Sequence, residues 1–126
     1  LIHDAVRPLV KSREIEEVIR RADQKGAAIL ASPMKLTVKK VNSSLEIIKT
    51  VPRHNLWMAQ TPQGFKRDLI VNTYEKIKDT NAELTDDAEV VEKAGHTVEI
   101  VSGSYDNIKI TTREDLKLAE LLLVKR

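Results

Sequence analysis

The chain has 126 residues, of which 41% are hydrophobic and 32% charged, with 21 basic against 19 acidic side chains and no cysteine. That bounds it to one modest core, gives no overall field to draw in nucleic acid, and removes disulfides and thiolate metal sites. No apolar run nears the ~20 residues a membrane helix needs and no basic-then-apolar leader opens the sequence, so the expectation is a soluble, cytoplasmic protein without membrane or nucleic-acid partners.

In chain order, Leu1-Ile2 reads as the end of a buried strand that spills into a charged loop closed by Pro8, which cannot donate a ladder hydrogen bond. Because the sequence opens at a strand end and not with Met, it reads as a segment of a longer protein. Ligands of open α/β sheets meet the carboxyl ends of strands, which makes Asp4 and Arg7 candidate site residues; a salt bridge that merely ties the loop is the equal alternative. Ser12 is placed to cap a helix whose apolar face is Ile15, Val18, Ile19 and Ala22, with Gly26 as its stop. The short apolar run over 26–33 predicts a central strand covered on both faces, and strand, helix, strand in that order predicts a crossover with a parallel sheet.

Residues 35–51 alternate imperfectly, with Asn42-Ser43-Ser44 as the turn, and predict a β-hairpin arm. Five basic side chains against one acidic lie between Lys35 and Arg53. A lone hairpin is marginal in water, so the arm is expected to pack either on its own domain or, the favoured reading, on a second copy of the chain. The stretch 51–65 holds the only Trp and the only Phe, with Arg53, His54, Asn55, Gln60, Thr61 and Gln63 among them. It reads as a buried segment whose ends leave the core to meet a ligand, with Trp57 in the core.

Phe65, Leu69, Ile70, Thr73, Tyr74 and Ile77 then predict a helix, Thr85 caps the next, and Gly95 ends it. A strand over 97–101, a loop, a short strand or turn over 107–110, and a last helix capped by Thr112 complete the chain, with Leu116, Ala119, Leu122 and Leu123 as the buried face. The three histidines share no metal-ligand spacing; His3 reads as structural, the others as exposed. The four glycines are scattered, so these residues hold no Gly-rich phosphate loop.

Five blocks recur in this order in one family: 3–8 (HDAVRP), 36–39 (LTVK), 51–63 (VPRHNLWMAQTPQ), 84–88 (LTDDA) and 106–111 (DNIKIT). On them the chain resembles the 2-C-methyl-D-erythritol 4-phosphate cytidylyltransferases. The resemblance implies an α/β fold, a Rossmann-like nucleotidyltransferase three-layer sandwich. Residues 1–126 would form the C-terminal part of its single domain, with a dimerisation β-arm at 35–53 exchanged in a homodimer. It also implies the joining of CTP to a sugar-alcohol phosphate, with Mg²⁺, to give a CDP-alcohol and pyrophosphate.

Carried over by position, Asp4 is the acidic residue near the metal and the acceptor's hydroxyls, and Arg7 binds the acceptor beside it. Thr37, Thr61 and Thr85 are implied to donate hydrogen bonds to the acceptor. Arg53 is implied to reach across the dimer to the acceptor phosphate, and Lys109 to position that phosphate for attack. A planar fork suits the first role and a compact charge the second. On the residues alone, Thr85 reads first as a helix cap and Lys109 as a solvent-facing strand residue. The family's CTP loop lies upstream of the HDAVRP block, so a polypeptide of only these residues is expected not to bind CTP productively. Two other readings stay open: a ribitol 5-phosphate cytidylyltransferase, and a non-catalytic dimerisation fragment.

Overall fold

The computed structural model describes residues 1–81 and 83–126. In chain order they form α1 (Ser12–Lys25), β1 (Ala27–Pro33), β2 (Val38–Val41), β3 (Ile47–Val51), β4 (Trp57–Phe65), α2 (Arg67–Ile77), α3 (Asp87–Lys93), β5 (Glu99–Ser102) and α4 (Arg113–Val124).

Small apolar residues make β1 the centre of the sheet, since Ala27 to Ala31 are all buried and leave room for helices above and below. The order is β4-β1-β5, with β1 antiparallel to β4 and parallel to β5. Val18 and Ala22 of α1 pack on Ala28, Leu30 and Val101. The helix α3, with Val90 and Val91 buried, packs against β1, so the strand is covered on both faces as expected. Helices over and under a mixed sheet give the three-layer α/β arrangement.

The parallel crossover is not between neighbours. Ile2 makes one antiparallel bridge with Gln63, through bonds of 2.8 and 2.9 Å, so β4 lies between it and β1. Leu1 and Ile2 are exposed rather than buried, because this single bridge is the pairing they have among the described residues.

Helix starts differ from expectation by one residue. Lys11 caps α1 instead of Ser12, because Glu14 takes the Lys11 N–H at 2.9 Å and leaves Ser12 inside the first turn. Asp86 caps α3 instead of Thr85, accepting the Glu89 N–H at 2.9 Å. Thr112 and Asp115 cap α4 reciprocally, as expected. On α4 only Ala119 is buried, while Leu116 and Leu123 are each half exposed, and Ile19 likewise faces solvent. Trp57 is also not core: it lies at the outer end of β4 opposite Pro33, 39% exposed.

After β5 the chain doubles back at Gly103, whose N–H donates to Ala31 at 2.8 Å. A Cβ there would lie 2.6 Å from both Leu30 Cγ and Gln60 Oε1. Leu30 is fully buried and cannot yield. Gly103→Ala is therefore expected to lower stability by about 1–3 kcal/mol, read as an earlier urea midpoint at unchanged slope.

Among the described residues the strands β2 and β3 pair only with each other, forming the expected hairpin. Asn42 shapes its tip by accepting the Ser44 and Glu46 N–H groups at 3.0 Å each, with Leu45 at φ 61°. Leu36, Val41, Leu45, Ile47 and Ile48 are all exposed. Of the residues in β2 and β3, only Val38 and Val51 are partly buried.

Candidate active site

A cavity of about 320 Å³ opens where the 2–7 loop, β4, the start of α3 and the 103–109 loop meet. Asp4, Arg7, Thr61, Thr85 and Lys109 line it, bringing together five of the seven residues singled out by sequence. Thr37 and Arg53 are elsewhere: both sit on the arm, exposed, and the Arg53 guanidinium donates to the Lys35 carbonyl at the arm's root.

Asp4 organises the cations. Its Oδ2 lies 3.3 Å from Lys109 Nζ and 3.4 Å from Arg7 Nε. Burial pushes the Asp4 carboxyl up, but Lys109 and then Arg7 outweigh it, and the net effect holds it below its ordinary value. Arg7 is further aimed by donating to the Asn107 carbonyl at 2.7 Å.

Hydroxyl protons follow from their partners. The Arg7 carbonyl can only accept, so His3, 3.1 Å away, carries its proton on Nε2. Nδ1 then accepts from the Thr61 hydroxyl at 2.9 Å, while Thr61 Oγ1 accepts the Asp4 N–H at 2.9 Å. The structural reading of His3 holds. Thr85 donates through both its N–H and its hydroxyl to Glu89 Oε2, at 2.7 and 2.8 Å. Lys93 and these Thr85 donors bring the Glu89 carboxyl down to about 2. Both threonines thus present lone pairs to the cavity, and each donates to a ligand only by releasing a partner in the chain.

Beneath the cavity lies a polar network that sequence reasoning missed. Gln60 donates to the Ser104 carbonyl at 3.0 Å and to Ser32 Oγ at 3.3 Å, and Asn107 Nδ2 reaches Gln60 Oε1 at 3.2 Å and the Thr61 carbonyl at 2.9 Å. Gln63 donates to Asp86 at 3.0 Å and accepts the Ala88 N–H at 3.1 Å, tying β4 to α3. All three side chains are buried, and buried amides without partners are costly. The visible signal was polar residues spaced along an otherwise apolar strand.

Asp86 and Asp87 also line the cavity and were missed as site residues. Among the described charged side chains there, three carboxylates face two cations. An anion would meet one negative charge in excess. Among the described residues no three His, Cys, Asp or Glu side chains converge as metal ligands, though both ion pairs of Asp4 fall on Oδ2 and leave Oδ1 outside them. A wider groove of about 520 Å³ between α1 and β5 holds none of the expected residues, and its Glu17 and Arg21 are already paired. No helix among the described residues is long and apolar enough to cross a membrane.

A family model described as IspD, 2-C-methyl-D-erythritol 4-phosphate cytidylyltransferase, matches residues 1–125. A protein of that name from Alkaliphilus oremlandii is 50% identical over 126 residues, all of this chain and 53% of the relative. The crystal structure of 4-diphosphocytidyl-2C-methyl-D-erythritol synthase from Anaerococcus prevotii superposes with a TM-score of 0.88 at 35% identity, covering 98% of this chain and 57% of that one. The cytidylyltransferase from Thermus thermophilus gives a TM-score of 0.87 at 34% identity, covering 97% and 60%. The chain spans about half the length of the curated relatives it matches. With its five sequence blocks and these family, sequence and structure matches in agreement, the chain belongs to the 2-C-methyl-D-erythritol 4-phosphate cytidylyltransferase family.

Proposed function

We propose that this chain supplies the acceptor side of a cytidylyltransferase that joins CTP to 2-C-methyl-D-erythritol 4-phosphate, a step of non-mevalonate isoprenoid biosynthesis. The observation that carries the reading is the meeting of Asp4, Arg7, Thr61, Thr85 and Lys109 in one cavity. In the reaction an acceptor phosphate oxygen attacks the α-phosphorus of CTP. The new O–P bond forms as the bond to the β-phosphate breaks, and pyrophosphate leaves with the electron pair. No covalent nucleophile is required, so positioning and charge neutralisation supply the catalysis. Lys109 is half exposed and free to swing from Asp4 to the phosphate, while Arg7 is held by Asn107.

The excess carboxylate charge supports two further parts of the reading. One is a cation from a second copy: Arg53, on an arm whose apolar side chains are uncovered, would reach the acceptor phosphate in a homodimer with exchanged arms. The other is Mg²⁺, which takes one or two carboxylates and completes its shell with phosphate oxygens and water. Asp4 is the group here that would help hold it. When bound, the ion neutralises charge between the reacting phosphates.

The direct test is calorimetric titration with 2-C-methyl-D-erythritol 4-phosphate and, separately, ribitol 5-phosphate, followed by pyrophosphate release from CTP in the enzyme that contains this chain. Tighter binding and turnover of the methylerythritol phosphate support the reading. Preference for ribitol 5-phosphate, or binding of neither, contradicts it. For the arm, replacing Ile47 and Ile48 together by Asp is expected to halve the sedimenting mass without unfolding the chain, because both side chains are exposed. An unchanged mass would remove the arm from the dimer.

A further inference from the structure

We infer that Tyr105 is a positioning residue for Arg53, acting through the root of the arm. The arm leaves the body after Pro33 and returns where the Met34 N–H donates to the Leu56 carbonyl at 2.9 Å. Tyr105 grips this root in two ways. Its hydroxyl donates to the Pro33 carbonyl at 2.8 Å, and Lys35 Nζ sits over its ring, 3.4 Å from the centroid. The carbonyl of that same Lys35 accepts the Arg53 guanidinium. One aromatic ring therefore fixes the backbone that exits, the lysine that follows, and through it the arginine that closes the arm.

Tyr105 is itself rooted in a stiff loop. Ser104 N–H donates to Glu14 at 2.7 Å, the Ser104 carbonyl accepts from buried Gln60, and Asn107 is fully buried two residues on. That loop also carries Lys109. The inference rests on the proposed reading, in which Arg53 serves the partner's site. Each loop then holds the lysine of its own site and, through Tyr105, aims the arginine that completes the other.

The test is a cycle of Tyr105 and Arg53 variants, read as the dissociation constant for 2-C-methyl-D-erythritol 4-phosphate. Tyr105→Ala is expected to weaken binding about tenfold, and Tyr105→Phe, which keeps the ring under Lys35, about threefold. In an Arg53→Ala background, Tyr105→Ala should add nothing, an outcome that a general loss of folding would not give. A Tyr105→Ala effect that persists undiminished in that background, or no effect in the parent, overturns the inference while the functional reading stands. If Arg53→Ala alone leaves binding unchanged, the reading of the arm falls and the inference with it.

Discussion

Lys109→Gln is expected to weaken binding of the acceptor phosphate about a hundredfold, roughly 3 kcal/mol, while the protein melts within about 2 °C of the parent. The two halves of this expectation have separate causes. The Lys109 side chain is half exposed and, among the described residues, its ion pair is with Asp4 alone, so folding gains little from it. In the cavity, however, Lys109 is one of two cations facing three carboxylates. Removing it leaves an incoming phosphate with Arg7 only, against a larger negative excess.

Asp4 reports the same substitution. With Lys109 gone, the larger of the two downward pulls on its carboxyl is lost and burial still pushes it up, so its titration moves to higher pH. Because the parent's folded value lies below the ordinary one, Asp4 stabilises the fold above the unfolded carboxylate range, and that contribution is lost as pH falls through the lowered value. In Lys109→Gln that contribution is smaller and its loss is complete at higher pH. Carboxyl carbon shifts of Asp4 followed by NMR in the two proteins check the direction.

Arg53→Ala carries the second large effect, again about a hundredfold in acceptor affinity, and Arg53→Lys is expected to recover only part of it. A single chain gives no reason for this, since its Arg53 is exposed and tied to the Lys35 carbonyl. The effect follows only if a second copy brings the guanidinium into the cavity, where its two parallel donors match a phosphate and an ammonium does not. Sedimentation must accordingly show Arg53→Ala to be as dimeric as the parent. Lost affinity in a protein that has become monomeric would be explained by the arm and not by Arg53.

How legible these features were depended on whether the determining contacts were local. The hairpin, the stop at Gly26 and the reciprocal cap of Thr112 and Asp115 are set within a few residues and could be read directly. The start of α3 was missed by one position because Thr85 and Asp86 can both cap, and Glu89 settles it by drawing both Thr85 donors to its carboxylate. Trp57 and the leucines of α4 misled because apolarity shows what a side chain avoids without showing what covers it. The network of Gln60, Gln63 and Asn107 joins groups up to 47 residues apart, beyond any local pattern. Asp4 and Arg7 were legible from their place past a strand end, whereas Thr61, Thr85 and Lys109 were assigned to the site through the family blocks, since Lys109 in an apolar run carries no chemical mark of its own. Thr37 and Arg53 lie outside the cavity because they belong to an arm whose proposed destination is another molecule.

In the proposed dimer Arg53 and Lys109 of different subunits share one phosphate, which mixing two defective proteins puts to the test. Arg53→Ala and Lys109→Gln, each binding only weakly alone, are unfolded together, refolded at equal amounts and titrated with 2-C-methyl-D-erythritol 4-phosphate. If the arms cross, half of the dimers are mixed and each holds one intact site, giving about one tight site for every four chains. If both residues serve the same subunit's cavity, every site retains a defect and the mixture binds no better than its parts.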